Sequence, residues 1–496
     1  MLRTVPTLRY ATPPAIGTAA PPASTARWML ALAVYLGAQV MVRLWTGDAL
    51  ELDEAEQVLW TQRLELGYGT QPPLYTWLQR GVFELVGVSV LGLTLLKHAL
   101  LALTYLFTFA AARTLMPVPL AALASASMLL IPQIGWESHR DLTHTVACTT
   151  MAAAAWWAVL ALRERPTPAR FAALGLAAGL GVLAKYSFVA VAAALWLALA
   201  TAPETRRLAL HRGMALAAAV AAAVVAPHAL WLAGNLPQAT GGTLDKMGAT
   251  AALPWGEGML RGLGRLVLVT VAFLTPLWIV LAALFVRRGW RDDVVPGAGC
   301  GLMRRYVVFV FALLLALVVA GVLTHLKARW LQPFLFVAPL AFFACAPQLA
   351  HHPRLPLLRR VIAAWAVLLV AAMAARAPLD GWRGTPDELN VPATALAQAL
   401  RDAGYDGRPI VTTDATLGGV LRLQFALAPV AVVGREHEPL PATAALWIGP
   451  GDGPDALAAI EGATGQAATA PRTLALPPAH APATATPLRY TFSLQP

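Results

Sequence analysis

WMLALAVYLGAQVMVRLWTGDALELDEAEQ, residues 28–57, decides how this chain is built. Its first part, Trp28 to Thr46, is almost wholly apolar, and a hydrocarbon core about 30 Å thick takes about 20 such residues wound as helix. Asp53, Glu54 and Glu56 follow directly after it. A membrane crossing therefore delivers these carboxylates to the far surface.

The same pattern runs outward along the chain. Of 496 residues, 58% are hydrophobic and 13% charged, with a mean hydropathy of +0.61, well outside the range of soluble globular proteins. Apolar runs fall near 28–46, 89–112, 117–135, 142–162, 170–184, 186–200, 213–233, 264–286, 306–324, 330–346 and 361–376. The expected fold class is a polytopic α-helical membrane protein with about eleven spans. The net charge of +11 does not point to nucleic acid, because the arginines punctuate apolar runs and form no single basic face.

Lys and Arg in short loops stay on the cytoplasmic side. Arg163/Arg165/Arg170, Arg206/Arg207/Arg212, Arg287/Arg288/Arg291, Arg304/Arg305 and Arg354/Arg359/Arg360 all fall on the side of residues 1–27, read as a cytoplasmic tail. Asp292-Asp293 belongs to that side as a solvated loop. Loops 47–88, 136–141, 234–263 and 325–329 face the opposite side, expected to be the periplasm beyond the inner membrane. Residues 28–376 form the transmembrane domain. After Arg376 the composition turns to Pro, Gly, Asp, Thr and Ala, with short apolar runs at Pro409–Thr413, Val430–Val433 and Ala445–Ile448. Residues 377–496 are thus expected to form a small extracytoplasmic α/β domain, with 466–487 a loop. Cys148, Cys300 and Cys345 have spacings of neither a disulfide framework nor a metal knuckle.

Chemistry gathers in the outer loops. The first carries Asp53 and Glu54, then Gly67-Tyr68-Gly69-Thr70-Gln71-Pro72-Pro73-Leu74-Tyr75, where the double proline fixes an extended turn. The second, Gly135 to Leu142, holds Glu137, His139, Arg140 and Asp141 at helix mouths, where charge is costly unless paired or useful. A plain structural bridge from Arg140 to Asp141 or Asp53 is the alternative there. Lys185-Tyr186 and His325-Leu326-Lys327-Ala328-Arg329-Trp330 place cations where the positive-inside tendency disfavours them. A lipid phosphate would hold them, as would simple snorkelling to headgroups. Two aspartates with several cations at one face suit displacement of a phosphate leaving group from a sugar: a carboxylate takes the acceptor's proton and cations meet the departing phosphate. Gly179-Leu180-Gly181 lies inside a span, so Gly175 and Gly179 read as helix packing and not as a dinucleotide fingerprint.

Leu52-Asp53-Glu54-Ala55, the Gly67-to-Leu74 stretch, Asp141, Gly179-to-Tyr186, Pro227-His228-Ala229-Leu230-Trp231 and Lys327-to-Pro333 resemble, in the same order, the GT-C glycosyltransferases of the protein O-mannosyltransferase-like superfamily. That group includes bacterial lipid A aminoarabinose transferases and rhizobial lipopolysaccharide galacturonosyltransferases. The likeness covers roughly residues 28–345. It implies an inverting transfer from a polyprenyl-phosphate-linked sugar donor to a lipid A, glycolipid, polysaccharide or protein acceptor. Asp53 would be the general base. Asp141 would organise the acceptor or a divalent ion. Lys327 and Arg329 would lie near the donor phosphate and Lys185 would match the family's fifth-span lysine. Glu54, Tyr68, Gln71, His139, Arg140, Tyr186 and His228 complete the expected substrate-binding set. Gln71 stands where the family usually carries Lys before the double proline, so that phosphate contact would come from Arg140 or another cation. No cofactor is assigned. A divalent ion is left open, because His139, His144, His228 and His325 show no diagnostic spacing. Membrane lipids are the other expected partners. The alternatives are a secondary transporter, disfavoured by the absence of internal repeats, and a non-catalytic polyprenyl-phosphate binder.

Overall fold

The computed structural model describes residues 22–248, 253–286, 296–434, 440, 445–482 and 484–495. Residues 1–21 of the expected tail, the Arg287/Arg288/Arg291 cluster and Asp292-Asp293 lie outside the described residues.

The first apolar run is helix α1 (Pro22–Trp45). The acids after it do not stay in a loop but start a new helix, α2 (Leu52–Trp60). Glu51 and Glu54 form a capping box there: the Glu51 N–H donates to the Glu54 carboxylate at 3.3 Å, and the Glu51 side chain accepts the N–H of Glu54. Asp53 and Glu54 in the first turn also suit the helix dipole. Helix α3 (Leu74–Val86) begins after the double proline and stops at Gly87, whose φ of +78° favours glycine. In α4 (Val90–Arg113), Ser89 caps the first turn by accepting the Gly92 N–H.

The segments Val118–Leu130 and Gln133–Arg140 meet at 80°. Ile131 is extended because it precedes Pro132, which also has no N–H to continue the ladder. This bend carries the chain to Arg140 and Asp141. Helix His144–Glu164 is the centre of the bundle, with 89% of its apolar window buried, whereas Gly213–Gly234 buries 11% and Leu355–Trp382 17%. The latter two turn side chains such as Leu230 and Val367 outward, as a lipid-facing rim requires.

Among the described residues eight helices are long and apolar enough to cross a membrane, or nine with the bent pair as one span. The expected eleven is not reached on that measure. Pro168–Ala184 and Phe188–Thr201 have 17 and 14 residues, below the ~20 a full crossing takes. They still run between the two ends of the bundle. Arg163, Arg170, Arg206, Arg304 and Arg354 sit near helix ends on one side, and Asp141, Lys185 and Lys327 lie at the opposite ends of those helices.

The glycine reading holds. A Cβ on Gly175 would come within 2.2 Å of the Ala217 carbonyl, and one on Gly179 within 2.8 Å of Val224. Helix Pro168–Ala184 therefore packs on Gly213–Gly234 through bare backbone. The cysteines need a correction: Cys300 and Cys345 form a disulfide, and Cys148 is free and buried. Spacing along the chain gave no sign of it, because helices starting at Cys300 and ending at Cys345 meet only in the folded bundle.

Helix Leu355–Trp382 runs past the composition break at Arg376 into the C-terminal domain. There β1 (Ile410–Thr412), β2 (Val430–Val432), β3 (Leu446–Pro450), β4 (Arg472–Leu476) and β5 (Leu488–Leu494) form one sheet in the order β2-β1-β3-β5-β4. The β2, β1 and β3 strands are parallel, and β3, β5 and β4 antiparallel. The first three strands fall on the three apolar runs. The stretch 466–487 is not all loop, since β4 lies within it. Its side chains are mostly exposed and it borders the sheet, with Arg472 stacked 4.7 Å over the Phe492 ring, so local composition hid an edge strand.

Candidate active site

Helix α2 presents Asp53 to the mouth of helix His144–Glu164. The Asp53 N–H donates to Asp141 Oδ1 at 2.9 Å. The Asp53 carboxylate Oδ2 accepts from the Thr143 N–H at 3.3 Å and from the Thr143 hydroxyl at 3.4 Å. Two carboxylates 88 residues apart are thereby fixed side by side. Burial pushes the Asp53 carboxyl above the ordinary aspartate range and Glu56 adds to this, while Arg329, Lys97 and the Thr143 N–H pull it back. Burial and the charge of Asp53 raise Asp141 to about 6. Asp141 is thereby poised to take up a proton near neutral pH, and Asp53 is shifted in the same direction.

Beneath the pair, Glu54 is committed to the scaffold. Its buried carboxylate takes Arg43 at 2.7 Å and Lys97 at 3.1 Å, and despite the burial those two cations hold it down at about 2. Lys97 also donates to the Arg140 carbonyl at 3.1 Å, so one buried amine ties α2 to the turn carrying Asp141. Glu54, expected among the substrate-binding residues, is thus paired within the protein, and Lys97, not expected at the site, is one of its partners. The signal was an ionisable residue inside an apolar span.

Arg140 pairs with neither aspartate. It bridges Glu51 at 3.4 Å and Glu137 at 3.6 Å, and Glu51 is also held by Arg376, which contacts Asp387 as well. His139 turns into the bundle, hydrogen-bonded to Tyr35 at 3.0 Å and His98 at 3.2 Å. Arg329, in the first turn of helix Ala328–Leu335, is close enough to Asp53 to lower its pKa. Lys327 is the N-cap of the same helix. Gln332 donates to the Ser138 hydroxyl at 2.9 Å, docking that helix against the turn before Asp141.

Lys185 caps Pro168–Ala184 and donates to the Thr145 hydroxyl at 2.8 Å, two residues beyond Thr143. Beside it a ring stack forms: Tyr186 on His228 at 5.7 Å and His228 on Trp231 at 5.6 Å. The His228 Nδ1–H donates to the Leu66 carbonyl at 2.6 Å. A Cβ on Gly67 would strike the Trp231 ring at 2.4 Å, so glycine lets the first outer loop close on this stack. Tyr68 and Gln71 exchange backbone hydrogen bonds at 3.1 and 3.0 Å. The Tyr68 hydroxyl serves the loop itself, donating to the Arg63 carbonyl at 2.8 Å. His144 hydrogen-bonds Gln57 at 3.2 Å. Among the described residues no three His, Cys, Asp or Glu side chains are grouped to hold a metal ion, so no ligand set is assigned.

A polytopic bundle with paired aspartates and cations at one end and a small mixed α/β domain above them defines a class: this chain is a membrane glycosyltransferase of GT-C architecture. The fold is similar to that of ArnT from Cupriavidus metallidurans bound to undecaprenyl phosphate, with a TM-score of 0.61 at 14% identity over 94% of this chain and 98% of that one. Residues 70–231 match the family described as dolichyl-phosphate-mannose-protein mannosyltransferase. The chain is 34% identical to the lipopolysaccharide core galacturonosyltransferase RgtB of Rhizobium johnstonii over 81% of its own length and 82% of that protein's. It is 33% identical to RgtA of the same organism, over 81% of each. The chain belongs to the family of these lipopolysaccharide core galacturonosyltransferases, which displaces the transporter reading.

Proposed function

We propose that the chain transfers a uronic acid, galacturonic acid being the foremost candidate, from a polyprenyl-phosphate donor to the core of lipopolysaccharide. The transfer takes place on the periplasmic side of the inner membrane. The observation that carries this reading is the Asp53–Asp141 pair beside Arg329. The relatives' names supply the sugar and the acceptor, and undecaprenyl phosphate bound to a protein of the same fold supplies the donor class.

Asp53 acts as the base. As the acceptor oxygen bonds to the anomeric carbon, its proton passes to the Asp53 carboxylate. The bond from that carbon to the phosphate oxygen breaks on the opposite face, inverting the centre, and its electron pair leaves with the polyprenyl phosphate. Arg329, Lys327 and Lys185 meet that charge. Asp141 holds the Asp53 backbone and orients the acceptor. Arg140 is engaged with two glutamates, so the cation missing at Gln71 is supplied from the Arg329 side.

The test uses purified chain with polyprenyl-phosphate-linked galacturonic acid and lipopolysaccharide core oligosaccharide, product being read by mass spectrometry. Asp53→Asn should transfer nothing above background and still bind donor, whereas Arg329→Ala or Lys327→Ala should weaken donor binding. Full turnover by Asp53→Asn would remove the base. Unchanged donor affinity in both cation variants would place the phosphate elsewhere.

A further inference from the structure

The helix that carries Asp53 lies between two bodies. Ala55 and Val58 share a cluster with Leu50, Phe83 and Leu93 of the membrane domain and with Ala393 and Val420 of the C-terminal domain. Leu59 belongs to the core of the C-terminal domain, with Leu396, Ile410, Leu417 and Leu421. At the crossing of α2 with helix Ala415–Gln424, a Cβ on Gly419 would lie 2.5 Å from Ala55 Cβ, 2.6 Å from its Cα and 3.0 Å from its carbonyl oxygen. Those neighbours are backbone and a methyl with no rotamer to change, so the fit depends on glycine.

Polar contacts fix the register of the same junction. Just past α2, the Gln62 amide pairs with Val430 of β2 on both sides, donating to its carbonyl at 3.0 Å and accepting its N–H at 2.9 Å. β2 is an edge strand, and Gln62 takes the place of a neighbouring strand. Before α2, Gln424 donates to Asp48 at 3.1 Å, and Arg376 joins the capping residue Glu51 to Asp387.

We propose that the C-terminal domain is a positioning element for the transfer: helix Ala415–Gln424, through Gly419, and β2, through Gln62, set where α2 holds Asp53 against Asp141. Neither Gly419 nor Gln62 touches substrate. Both act through α2, and the inference rests on Asp53 being the base. Any side chain at 419 moves α2 by about 1 Å to restore ordinary contact, and a misplacement of that size can lower turnover by roughly a hundredfold.

The full-length chain is assayed with the donor and core acceptor above, comparing Gly419→Ala, Gly419→Leu and Gln62→Ala. Gly462→Ala, in the same domain where a Cβ meets nothing within 4 Å, is the control. The expected result is a kcat lowered roughly a hundredfold in Gly419→Ala and at least as far in Gly419→Leu, with KM for both substrates within about twofold. Gln62→Ala loses less, again in kcat alone, and Gly462→Ala matches wild type. If Gly419→Leu does not fold, the two milder variants carry the decision. Unchanged kcat in Gly419→Ala and Gln62→Ala overturns the proposal, as does a loss appearing in KM for either substrate. A wild-type chain that transfers no sugar refutes the proposed function instead.

Discussion

Asp53 and Asp141 are two carboxyls of the same kind given different tasks by their neighbours. Asp141 takes the Asp53 N–H, while the Asp53 carboxylate keeps Thr143 and Arg329 in reach. Both carboxyls are raised, Asp141 to about 6, and the pair titrates as a unit. Asp141 holds the Asp53 N–H best as a carboxylate, so transfer should fall as pH drops through about 6, where Asp141 takes up its proton. A kcat flat from pH 8 to pH 5 would disprove this. The two aspartates and Arg329 were legible in sequence because charge at the end of an apolar run is a local signal. The partners of His139 were not legible: the sequence puts it between Glu137 and Asp141, and the turn there sets it against Tyr35 and His98.

At the scale of elements, the helix pair Pro168–Ala184 and Gly213–Gly234 carries Lys185, Tyr186 and His228 to the site. Their approach depends on Gly175, where a Cβ would meet the Ala217 carbonyl at 2.2 Å. Gly175→Leu should therefore destabilise the bundle by about 1–3 kcal/mol, seen as a lower thermal midpoint in detergent. Gly37→Leu on α1, where nothing lies within 4 Å, should leave the midpoint in place. Equal midpoints for the two variants would count against the packing role. That Gly175 packs was readable from small residues in a span. That α2 exists was not, because Leu52–Trp60 reads as an acidic loop until Glu51 and Glu54 close their capping box.

At the scale of the molecule, the described basic clusters gather at one end of the bundle, and the aspartates and the C-terminal sheet lie at the other. In the proposed topology, with positive charge retained in the cytoplasm, catalysis lies outside. An alkaline phosphatase fused to the C terminus should be active in a bacterial host, and one fused in the Arg206–Arg212 loop inactive. The reverse pattern would invert the topology. The two ends also serve separate purposes: Cys300 and Cys345 close the basic end, while the outer end is held by the junction of α2 with the C-terminal domain.

Sequence alone determined the membrane class, the appended α/β domain, and which acids and cations stand at the ends of apolar runs. Hydropathy and charge are properties of short windows, so they survive without knowledge of the fold. Tertiary structure decided which of those groups meet. It joined Asp53 to Asp141, gave Glu54 to Arg43 and Lys97, linked Arg376 to Glu51, and buried Leu59 in the core of a distant domain. Those contacts depend on helix angles and registers, which are set by packing over the whole bundle and leave no mark on any single stretch of chain.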